Sequence, residues 1–93
     1  MTDSRRMEMV SKEEFKREVW AISDEVHARP RQIRVRKMKC KVGSCSPGKV
    51  ITFDKSVLDL DCASRREVII HELLHLRYKN HGKMFKLLVR AYL

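Results

Sequence analysis

Apolar residues at Phe15, Val19, Ile22 and Val26 recur at intervals of four, three and four, with Trp20 beside them. That is one stripe on an amphipathic helix. Ser11 and Glu14 have the spacing of a capping box and place the helix start. Arg29-Pro30 is expected to end it, because the residue before a proline is pushed out of the helical region. Further on, "IRVRKMKCKV" alternates with a change of phase: Ile33 and Val35 share one face, Met38, Cys40 and Val42 the other. A bulge near Arg36-Lys37, or two short strands, would account for the slip. "GSCSPGK" then supplies turn chemistry and "VITF" the returning strand of a hairpin. A small antiparallel sheet of two or three strands follows, with Leu58 and Leu60 packing where the chain crosses to the next element.

Ser64 and Glu67 form a second capping box, "SRRE", ahead of "VIIHELLHL". They place a helix start near Arg65. Val68, Ile69, Ile70, Leu73, Leu74 and Leu76 cover nearly its whole circumference, so this helix is expected to be central and buried on most sides. Asn80-His81-Gly82 breaks the pattern, with Asn80 as the expected cap of a last helix. Phe85, Leu88, Val89 and Tyr92 continue at helical spacing to Leu93.

Length and charge narrow the classes. A chain of 93 residues has room for one core. The reading is a single α+β domain over residues 11–93 with a flexible N-terminus at 1–10. No apolar run approaches the length of a membrane span, and the N-terminus is too charged for a secretory signal. Three cysteines, Cys40, Cys45 and Cys62, lack C-x-x-C spacing, so reduced thiols and a cytoplasmic location are expected. A Cys40–Cys45 disulfide is disfavoured. The net charge is +9, and Arg29–Lys41 holds seven basic residues and no acid. Such a segment either keeps a small protein soluble or binds a polyanion.

The chemistry is concentrated in "HELLHLRYKNHGKMF", His71 to Phe85. His71 and His75 are four apart and share one helical face, where two imidazoles can take one zinc ion. Glu72 lies beside that face and can take the proton of a metal-activated water. A catalytic zinc site needs a third ligand. No acid follows Glu72, and upstream Glu67 is assigned to the helix cap, so elimination leaves His81. Two histidines and a glutamate on so apolar a helix would be costly without partners, which favours a metal site over a polar seam. The metzincin pattern shares this histidine spacing but places glycine where this chain has Tyr78, and that reading fails.

The order of helix, hairpin, active-site helix and C-terminal helix, with "HELLHLRYKNHGKMF" and "NHGK", resembles the minigluzincins. These are small soluble zinc metallopeptidases similar to the catalytic cores of HtpX-type and BlaR-type membrane metallopeptidases. "VGSCSPGKVITFD" also resembles a hairpin of YgjP-like and SprT-like hydrolases, although YgjP-like relatives tend to carry Trp where this chain has Val42, a departure that weakens the link to that branch and with it a DNA-associated role. The minigluzincin resemblance implies one zinc per chain on His71, His75 and His81, with Glu72 as general base and acid. It implies a peptide or protein substrate bound in extended form along the sheet edge around Gly43 to Phe53. It also implies a latent zymogen in which the C-terminal segment blocks the cleft, within one chain or by helix exchange in a homodimer. The last helix is expected on its own domain. Tyr78 and Tyr92 are the candidates for stabilising an oxyanion. The competing reading is a non-catalytic zinc-stabilised module that binds polyanions through Arg29–Lys41, with nucleic acid the less favoured partner.

Overall fold

The computed structural model describes residues 10–39, 43–46 and 48–93. Helix α1 runs over Lys12–Val26 and opens on the expected capping box. The Ser11 hydroxyl accepts from the Glu14 N–H at 3.1 Å, and the Glu14 carboxylate accepts from the Ser11 N–H at 3.3 Å. The predicted stripe of Phe15, Val19, Ile22 and Val26 is buried. The helix stops ahead of Arg29-Pro30, because His27 takes the left-handed conformation (φ 56, ψ 41) and returns its N–H to the Ser23 carbonyl. A left-handed residue just past the last turn satisfies free helix carbonyls without needing the proline.

The sheet has strands β1 (Gln32–Arg36), β2 (Gly43–Cys45) and β3 (Val50–Asp54) in the order β1-β3-β2. β2 and β3 form the antiparallel hairpin, whereas β1 pairs with β3 in parallel, Ile33 opposite Ile51 and Val35 opposite Phe53. The sheet is therefore mixed rather than wholly antiparallel. The chain passes from β1 to the far edge before returning between the two, which makes the first and last strands run the same way. "GSC", expected in the turn, is itself the edge strand. The turn tightens to the residues after it, with the Ser46 N–H donating to the Val50 carbonyl and the Lys49 N–H to the Ser46 carbonyl. β1 ends at Arg36, so the phase slip falls at a strand end. Beyond it, the Met38 N–H donates to the Asp54 carboxylate at 2.6 Å. Cys40 and Val42, expected on the second phase, lie outside the described residues, as do the first nine positions.

A 3-10 turn over Lys55–Asp59 buries Val57 and brings Leu58 and Leu60 against the core. Helix α2 covers Cys62–Leu74 and is capped by Asp61, whose carboxylate accepts from the Ser64 N–H. Ser64 and Glu67 are thus not the capping box; the helix starts three residues earlier than expected. The earlier start leaves Arg65 one turn inside the helix, facing the core. There its guanidinium donates to Glu18 at 2.7 Å and to the Leu60 carbonyl at 2.8 Å. Ile69, Ile70, Leu73 and Leu74 are fully buried, while Val68 and Leu76 are only partly so.

Helix α3 (Lys83–Tyr92) is capped by Gly82 rather than Asn80. It packs against its own domain: Phe85 is buried, and Leu88, Val89 and Tyr92 rest against the core. Arg66 holds its far end, donating to the Tyr92 carbonyl at 2.8 Å while engaging Glu25 of α1. Phe15 and Phe53 meet edge to face at 4.9 Å in the centre of the molecule, a geometry that aligns the positive edge of one ring with the face of the other.

Candidate metal centre

His71 and His75 lie one turn apart on α2, as their spacing requires. His75 is the residue at which the helix ends, and the following N–H groups of Arg77 and Tyr78 fold back to the Leu74 carbonyl. That closing turn aims the Tyr78 carbonyl at His75, whose Nδ1 lies 3.0 Å away and donates to it. A neutral ring so held keeps the lone pair on Nε2, pointing outward. The chain then returns His81 to the same place, its Nε2 2.8 Å from the His75 Nε2. The turn uses no left-handed residue at Tyr78: among the described non-glycine residues only His27 and Lys49 have positive φ. This agrees with the absence of the metzincin glycine.

The three imidazoles have ring centroids 4.7 to 4.9 Å apart, and one nitrogen from each falls within a group spanning 4.8 Å. Two ring nitrogens facing each other at hydrogen-bond distance need a shared proton or a shared cation. Burial, and then the neighbouring His75 and His81, lower the pKa of His71. Its neutral form, the one able to ligate, is favoured. An all-imidazole set with a fixed outer partner on His75 fits a borderline divalent ion such as zinc.

Phe85 supports the cluster from α3. Its ring centroid lies 5.1, 4.8 and 4.9 Å from those of His71, His75 and His81. Periodicity marks Phe85 as a core position but says nothing of its place under three histidines.

Glu72 is buried on the opposite flank, against β2. A Cβ added to Gly43 would lie 2.9 Å from the Glu72 Cγ and 3.2 Å from its Oε2, closer than side chains tolerate. Gly43 therefore lets the edge strand approach the carboxylate. Nearby, burial and then the Glu72 charge raise the Cys45 pKa, which keeps that thiol protonated and unsuited to act as a nucleophile.

Two cavities, about 690 and 550 Å³, open on either side of Gly43, His71 and Glu72, which line both. The larger is walled by β2, Lys49, His71 and Glu72 of α2 and the turn after it as far as His81. Among the described residues no member of α3 lines either cavity, and neither do Tyr78 and Tyr92. Tyr78 packs against the core with the Arg77 guanidinium over its ring. Of the basic segment, Arg34 and Arg36 project from β1, the edge of the sheet farthest from the site.

A model of the YgjP-like metallopeptidase domain matches residues 5–93. The Trp-to-Val difference at Val42 thus does not separate the chain from that branch. The fold is similar to the crystal structure of the metallopeptidase zymogen jannalysin of Methanocaldococcus jannaschii. The TM-score is 0.76 at 30% identity, covering 85% of this chain and 81% of that one. It is also similar to the metallopeptidase zymogen abylysin of Pyrococcus abyssi, with a TM-score of 0.73 at 25% identity, covering 82% and 76%. The resemblance to minigluzincins holds. No curated protein is matched significantly. No described helix is long and apolar enough to cross a membrane.

Proposed function

The chain belongs to the YgjP-like metallopeptidase family, and we propose that it hydrolyses peptide bonds with one zinc ion held by His71, His75 and His81. The observation that carries this reading is the convergence of the three imidazoles beside a buried carboxylate one residue along the same helix. When bound, zinc supplies a Lewis acid that polarises a carbonyl and lowers the pKa of water to about 7. Glu72 accepts the proton from the attacking water as its oxygen joins the scissile carbonyl carbon. The same carboxyl group returns that proton to the leaving amine as the C–N bond breaks. Gly43 permits the close approach that positions Glu72, and the Tyr78 carbonyl orients His75. β2 is an edge strand beside the site, so an extended peptide can add to it through backbone hydrogen bonds.

Two variants test the assignment. Glu72→Gln is expected to retain zinc and fold while peptidase activity falls by about 10²- to 10⁴-fold. His81→Ala is expected to lower zinc occupancy sharply. Stoichiometric zinc in His81→Ala would show that the third ligand lies elsewhere, and full activity in Glu72→Gln would remove Glu72 from the mechanism.

Latency is the second part of the reading, favoured by the two relatives being zymogens. In this chain α3 lies under the histidines and leaves both cavities unlined by it. A latent form would require α3 to shift across the groove or exchange with a second copy. Sedimentation of the zinc-loaded chain, paired with activity before and after limited proteolysis, checks this part: a latent form gains activity on cleavage.

A further inference from the structure

The two cavities at the site differ in charge in a way the overall composition does not predict. Both include Gly43, His71 and Glu72, so they meet where the reacting bond would lie. Beyond that point the larger carries Lys49 and Lys79 and, among the described residues, no carboxylate besides Glu72. The smaller is lined by Ser56, Leu60, Ser64, Val68 and Glu67, with no lysine or arginine among the described residues. In a chain of net charge +9, a wall of two apolar residues and two serines that ends in an acid is the departure. Glu67 is exposed. It is freed from the capping role that its sequence position had indicated, because Asp61 caps α2.

We propose that the two cavities are the two arms of one substrate groove and select peptides of opposite charge across the scissile bond. The lysine arm takes an acidic side chain. The Leu60–Val68–Glu67 arm takes a long side chain with an apolar stem and a cationic end, as lysine or arginine has. This rests on the peptidase reading above. Edge-strand binding puts successive side chains of an extended peptide on alternate faces about 3.3 Å apart. Residues on the two sides of the scissile bond therefore reach different arms. The two charges act at exposed positions, so each selects by a modest factor that falls as salt rises.

The test uses the zinc-loaded full chain, before and after the limited proteolysis that relieves latency, and four peptides of one apolar framework. One is neutral, one carries acid before and base after the cleaved bond, one has the reverse order, and one carries acids on both sides. Cleavage is followed as kcat/KM, and affinity is measured by fluorescence anisotropy with zinc-loaded Glu72→Gln. One of the two mixed-charge orders is expected to exceed the other roughly tenfold, and the neutral peptide roughly threefold. Lys49→Glu with Lys79→Glu should abolish that preference, as should Glu67→Lys, with zinc content and melting temperature as controls for folding. Cleavage of all four peptides within a factor of two overturns the charge selection and leaves the peptidase reading standing. Charge-ordered binding without cleavage by wild type, either intact or after limited proteolysis, supports the groove and overturns the peptidase reading. Neither binding nor cleavage overturns both.

Discussion

Gly43 and Glu72 are 29 positions apart in the chain, and the contact between them sets the most exacting requirement at the site. A methyl group at position 43 would meet the Glu72 side chain at 2.9 Å, so either the strand or the carboxylate must move. Displacement of a general base by a fraction of an ångström to an ångström costs on the order of 10² in rate. Gly43→Ala is accordingly expected to lower kcat by about 10- to 100-fold while zinc content stays stoichiometric. An unchanged kcat would show that Glu72 swings clear without loss. The convergence of the three histidines was legible in the sequence: helical periodicity puts His71 and His75 together, and the lack of later acids left His81. Gly43 was legible only as part of a sheet edge. Its closeness to Glu72 comes from how β2 meets α2, which no local pattern encodes.

At the level of elements, the stripe of α1 and the apolar run of α2 are in place, while caps and pairings differ from expectation. Asp61, Ser64, Asn80 and Gly82 are all residue types found at helix starts. Burial of Arg65 against Glu18 accompanies the choice of Asp61, a tertiary outcome that spacing alone leaves open. Strand pairing was decided in the same way, since β1 and β3 join residues 18 apart. Asp54 ties this arrangement together: it accepts from Met38 beyond β1 and from Ser56 at the 3-10 turn. Hydrogen bonds from Ser56 first, then from the Met38 backbone, lower its pKa from 3.8 to about 2. The folded pKa lies below the unfolded one, so the stabilisation is present above the ordinary value and is lost as pH falls through the folded one. Asp54→Asn should therefore flatten the part of the acid unfolding curve between about pH 4 and pH 2, measured by circular dichroism. An acid limb unchanged by the substitution would remove Asp54 from that role.

Across the whole molecule, the three-histidine cluster and the core share a wall. Phe85 is 3% exposed and touches all three histidines, so α3 contributes both to folding and to the site. Phe85→Ala is expected to cost about 3 kcal/mol and to weaken zinc binding, since the rings lose their common support. A chain ending at Gly82 should lose at least as much stability, so relief of latency requires α3 to move rather than to be removed. Retained fold with raised activity would instead identify α3 as a removable cap.

Periodic apolar positions and the placement of His71, Glu72, His75 and His81 were determined by the sequence alone, because each follows from the geometry of a single helix or from the short turn after it. The family was legible for the same reason, carried by a contiguous motif. Only the tertiary structure decided the parallel β1–β3 pairing, Gly43 against Glu72, Phe85 beneath the histidines, and the unlike charges of the two cavities. Those features join distant segments, and the packing of the one core around α2 selects them from several arrangements that the local patterns permit equally.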